Sequence, residues 1–106
     1  MEQCECLRLM KGATNIVQVD LTDFDMQGGI VVLTMSGPDN KAVKTWEFTE
    51  AGLFHVVIED DFTAGLMCGN YNYKYDLMWH VDGCRYAQCL PSPIIVTNTV
   101  GGCHNG

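Results

Sequence analysis

Tyr71-Asn72-Tyr73-Lys74-Tyr75-Asp76-Leu77-Met78-Trp79-His80-Val81 is the stretch whose reading decides the fold. Its period is two. Tyr71, Tyr73, Tyr75, Leu77 and Trp79 fall on one side, and Asn72, Lys74, Asp76, Met78 and His80 on the other. That alternation, rich in aromatic residues, is the signature of a strand with one face against a core. Core placement is expected for Tyr73, Leu77 and Trp79. Asp82-Gly83 follows directly and reads as a two-residue hairpin turn of type I′, which needs positive φ at both positions. The chain should therefore return as a paired strand over 84–90, break at Pro91-Ser92-Pro93 and resume over 94–100. Because proline cannot donate to a ladder, the resumed strand is expected at an edge or a kink.

Upstream, the same period recurs. Val17, Val19 and Leu21 share one face of a run that starts at Asn15, and Gly28-Gly29 opens a run over 30–36 that is apolar on both faces in its first half. The latter is expected to be central in its sheet. The turn Gly37-Pro38-Asp39-Asn40 leads into a strand over 42–49, with Lys44, Trp46 and Phe48 opposite Val43, Thr45 and Glu47. In the following run over 53–59, Phe54, Val56 and Ile58 look inward. The segment over 60–69 loses the alternation, and Thr63-Ala64-Gly65-Leu66 is predicted as a single helical turn in a crossover between sheets. About seven short strands, with a turn signal every eight to twelve residues and no long helix, predict an all-β, immunoglobulin-like antiparallel sandwich. One domain over residues 1–106 is expected, with 1–6 and 101–106 as flexible ends.

The 106 residues carry 13 acids against six Lys or Arg, a net charge of -7. Such a surface repels phosphate backbones and anionic headgroups, so neither nucleic acid nor membrane is an expected partner. No run reaches the roughly 18 apolar residues of a membrane span. The N-terminal MEQCECLRLMKG has early acids and no apolar export signal, so the expectation is cytoplasmic synthesis with reduced thiols.

The order of these features resembles the immunoglobulin-like modules of phage tail and baseplate proteins, such as the N-terminal domain of the upper baseplate protein. The resemblance runs along nearly the whole chain. It is carried by Leu9 to Gly12, by Gly29 to Met35, and by Val43-Lys44-Thr45-Trp46. Thr63-Ala64-Gly65-Leu66, the run from Gly69 to Leu77 with its alternating tyrosines, Asp82-Gly83 and Ser92-Pro93-Ile94-Ile95-Val96 complete it. It implies a virion structural or assembly protein of a phage or prophage, present in the bacterial host cytoplasm during assembly and then in the virion. Other virion proteins, or further copies of the chain, are the implied partners. The resemblance carries no catalytic residues, and the cysteine content departs from the family pattern.

Physical chemistry gives some of the same residues other readings. A tyrosine at the start of the long strand can return its hydroxyl to the preceding crossover, as in a tyrosine corner. Cys4, Cys6 and Cys84 are candidate zinc ligands, with Cys89, Cys103 and His104 elsewhere, but no CxxC occurs. In such a sandwich the first and last strands run parallel. This would separate the two ends and bring Cys84 toward Cys4 or Cys6. Free thiols are the expectation, and no cofactor is expected. His55, His80 and His104 could serve a catalytic cysteine, but no motif places them, and His55 and His80 should face solvent. Glu59-Asp60-Asp61 lacks the spacing of a calcium loop and reads as a solvated crossover. Trp46, Trp79 and the tyrosines could form a carbohydrate platform, the alternative to an assembly role; a small zinc- or redox-linked domain is the third. Enzymatic activity is not expected. For assembly, two edges are the candidates: the 42–49 strand with Val43 and Trp46, and the 94–100 strand with Ile94 and Val96.

Overall fold

The computed structural model describes residues 6–88 and 91–98. Its axis is the tyrosine-rich strand. In chain order the elements are β1 (Leu7–Met10), β2 (Asn15–Asp20), β3 (Ile30–Ser36), β4 (Ala42–Phe48), β5 (Leu53–Ile58), a short helix α1 (Asp60–Ala64), β6 (Gly69–Val81), β7 (Cys84–Ala87) and β8 (Ser92–Thr97). The larger sheet has the order β1-β8-β6-β3-β4, with β7 also paired to β6, and the smaller is the antiparallel pair β2-β5. The two make an all-β sandwich with the strand order of an immunoglobulin-like fold. There are eight strands, where the sequence suggests about seven; the additional one is β1, and the two runs expected after the hairpin turn are β7 and β8. β7 pairs with Met78 to Val81 and β8 with the other end of β6.

The expected central position of β3 is observed: it pairs with β4 on one side and β6 on the other. Asp82 and Gly83 both have positive φ (51° and 77°), as a type I′ turn requires, and Cys84 comes back opposite Val81. The inward faces also follow the alternation. Val19, Leu21, Val31, Leu33, Met35, Phe48, Val56, Ile58 and Tyr73 belong to one buried cluster, with Leu77 and Trp79 packed against it.

Two expectations are corrected. The last strand is not an edge: β1 pairs with it in parallel, Leu7 opposite Ile94 and Leu9 opposite Val96, so β8 lies between β1 and β6. Ile94 and Val96 are 0% and 1% exposed. Pro93 stands one residue before the first β1–β8 pair, Leu7 with Ile94, so the proline falls at the start of that ladder and not within it. The helical turn also starts earlier than predicted. α1 begins at Asp60, with Asp60 and Asp61 in its first turn where the N-terminal partial charge favours acids, and Gly65 ends it.

Thr63 is fully buried at the end of α1. Its hydroxyl donates to the Ala13 carbonyl oxygen (2.7 Å) and accepts from the Gly12 backbone N–H (3.2 Å), tying the crossover to the β1–β2 turn. No helix of the described residues is long and apolar enough to cross a membrane.

Candidate functional site

The outward face of the β2-β5 pair is the most exposed apolar surface that the strands build. Outward positions alternate with the buried ones, which places Ile16 directly opposite Val57, Gln18 opposite His55, and Asp20 opposite Leu53. Ile16 is 66% exposed and Val57 46%, and Leu53 is comparably open. Cross-strand β-branched pairs of this kind stabilise a sheet, and here the same pair leaves apolar area in water. Asp20 closes one end. Its carboxylate accepts from the Thr22 hydroxyl (2.7 Å) and backbone N–H (3.1 Å), and those bonds hold its pKa below the ordinary value. At the other end Glu59, Asp60 and Asp61 are all exposed.

β4 supplies a true edge. Among the described residues it pairs only with β3, and its far side has no strand beside it. Val43 is 44% exposed on the outward face. Trp46 is half-buried on the inward face, where the Lys44 ammonium stands 5.9 Å from its ring centroid and 4.9 Å from that of Phe62. Between β4 and β5 the sandwich opens into a cleft of about 410 Å³ lined in part by Trp46, Phe48 and Phe54. A second cleft, about 450 Å³, opens beside β1 and β2, with Leu7, Val17, Leu33 and Leu77 among its walls.

No family model, no curated protein and no solved structure matches the chain.

Of the interface candidates, then, Val43 and Trp46 lie on an edge strand, while Ile94 and Val96 are in the core and unavailable for docking. Of the zinc candidates Cys4, Cys6 and Cys84, the two that are described are not brought together. Cys6 and Cys84 are exposed free thiols, and Cys4, Cys89, Cys103 and His104 lie outside the described residues, as do 101–106. The β6–β7 turn does lie toward the pole where β1 begins, but it overshoots. Cys6 precedes Leu7, at the level of Pro93 and Lys74, and Val81 opposite Cys84 is seven residues farther along β6, on the order of 20 Å. Among the described residues no three of His, Cys, Asp and Glu cluster as a metal site. The expectation of reduced thiols is corrected at Cys68, which is disulfide-bonded.

His55 is exposed, as expected, and His80 is half-buried on the outward face of the large sheet. The aromatic residues divide. Tyr73 is core, Trp79 donates its indole N–H to the Met26 carbonyl oxygen (3.0 Å) and meets Phe24 edge-on, and Tyr71 is 83% exposed. Sequence reasoning missed the outward Ile16–Val57 pair. The signal was available, since both residues alternate with inward valines, but only the register shows that they face each other.

Proposed function

We propose that this chain is a non-enzymatic structural or assembly module of a phage or prophage virion, acting through protein–protein contacts. The observation that supports it most is the Ile16–Val57 pair with Leu53: a well-ordered sandwich that leaves β-branched side chains paired in water has a surface suited to burial against protein. The resemblance of the sequence to tail and baseplate modules supplies the virion context. The free edge of β4 offers a second docking element, by strand addition.

A carbohydrate-binding role would call for exposed coplanar rings, and Trp46 is half-buried beneath Lys44. Synthesis in the host cytoplasm followed by residence in the particle accommodates the Cys68 disulfide, since such bonds persist on virion surfaces. The test is mass spectrometry of gradient-purified particles from the strain that carries the gene. The chain is expected in fixed ratio to the other particle proteins; particles that lack it overturn the reading.

A further inference from the structure

We infer that copies of this chain stack head to tail, the outward face of β2-β5 on one copy seating on the outward face of the large sheet of the next. The inference deepens the assembly role proposed above by naming the partner of its apolar face.

Charge is divided unevenly between the two faces. All six Lys and Arg fall within the described residues, and none projects from the outward face of β2 or β5. That face ends in Asp20 on one side and Glu59, Asp60 and Asp61 on the other. The outward face of the large sheet holds three of the six cations. Arg8 lies opposite Ile95, Lys74 opposite Ser36 and Pro93, and Arg85 opposite His80. All three are exposed, and the carboxylates that share the face are Glu47 and Asp76. A chain with net charge -7 should resist self-association, yet at physiological salt charges act mainly within about 8 Å, so facing groups outweigh remote ones.

The spacings also match. Leu53, which pairs with Asp20, is six positions from Glu59 just past the end of β5; on β6, Lys74 is six positions from His80, which pairs with Arg85. At about 3.3 Å per residue both spans are roughly 20 Å. The apolar pairs sit at the same offset. Val57, opposite Ile16, is two residues from Glu59, and Met78, opposite Val32, is two residues from His80. One register, with β5 over β6 and β2 over β3, therefore sets Val57 against Met78 and Ile16 against Val32, and places Glu59 and Asp20 one strand spacing, about 4.8 Å, to the side of Arg85 and Lys74, within reach of those long side chains. Because the two faces differ, the contact is heterologous and propagates into rings or stacks instead of stopping at a dimer.

The test uses the full chain in sedimentation velocity at high micromolar concentration. Wild type is expected to populate a ladder of multiples of 11.8 kDa. Arg85→Glu with Lys74→Glu disables one face, and Ile16→Asp with Val57→Asp disables the other. Each double variant alone should be monomeric with unchanged circular dichroism, and an equimolar mixture should give a dimer that grows no further. A like-to-like interface would not give that result. Arg85→Glu combined with Glu59→Arg in one chain should restore growth. A monomeric wild type, a mixture that stays monomeric, or assembly by either double variant alone would overturn the inference. None of these touches the virion assignment, which stands or falls on the composition of purified particles.

Discussion

The Tyr73 hydroxyl accepts a hydrogen bond from the Met67 backbone N–H at 2.9 Å, across the turn that joins α1 to β6. The ring lies in the core while the oxygen holds the crossover, so one side chain fixes both the long strand and the loop that feeds it. Tyr73→Phe keeps the ring and removes the acceptor. The cost is expected near 1 kcal/mol, read as a shift in the urea midpoint, with faster hydrogen exchange at the Met67 amide. Tyr73→Ala also opens a cavity and is expected to cost about 3–5 kcal/mol. If Tyr73→Phe unfolds at the wild-type midpoint and leaves Met67 protected, the hydroxyl does not hold the crossover.

Thr63 performs a similar task over a longer distance in sequence. Thr63→Val preserves shape but deprives the Ala13 carbonyl of its donor and the Gly12 N–H of its acceptor. Because the site is buried, the expected loss is about 1–3 kcal/mol. Thr63→Ser, which keeps the hydroxyl, should recover most of it. Equal destabilisation by Val and Ser would assign the effect to the methyl group and its packing.

These two threonine and tyrosine contacts mark what a sequence can convey. Tyr73 was legible because strand alternation and a preceding crossover are local patterns, as were the Asp82-Gly83 turn, the inward faces of β2 and β5 and the central place of β3. Thr63 was not, since its partners lie fifty residues away in a turn with no distinctive composition. The same reason hides the position of β8. β1 has only four residues, too short to announce itself, and its parallel pairing with β8 turns an apparent edge into sheet interior. That error reached the site: Ile94 and Val96 read as docking residues on an edge and as core residues once β1 is beside them. The exposed face of β2-β5 was written in the alternation, but alternation does not say which strand lies opposite.

Two glycines separate steric from conformational demands. A methyl group on Gly29, at the mouth of β3, would overlap the His80 carbonyl oxygen of β6, and backbone cannot step aside as a side chain can. Gly83 has open space around it but a φ of 77°. Gly29→Ala is therefore expected to cost about 3 kcal/mol or more. Gly83→Ala should cost only about 1–2 kcal/mol, the penalty of a left-handed backbone. Thermal or urea unfolding of the pair checks the order; a Gly83→Ala loss exceeding that of Gly29→Ala would contradict the close approach of β3 to β6.

Asp76 gives the fold a pH dependence of known sign. It lies opposite Thr34 on the outward face of the large sheet, and its Oδ1 is buried with no hydrogen-bond partner. Burial penalises the anion and raises the carboxyl above its ordinary value of 3.8. A folded-state value above the unfolded one means that the folded chain keeps this proton longer. The group's contribution is thus fully present below the unfolded value and is lost as pH rises through the folded value. Asp76→Asn stays neutral throughout and escapes that loss. Melting temperatures of the two proteins should differ little at pH 3, diverge in favour of Asp76→Asn as pH climbs through the carboxyl's titration, and then hold a constant gap to neutral pH. A gap that is flat from pH 3 to 7, or that favours wild type at neutral pH, would show that the carboxylate is compensated in solution.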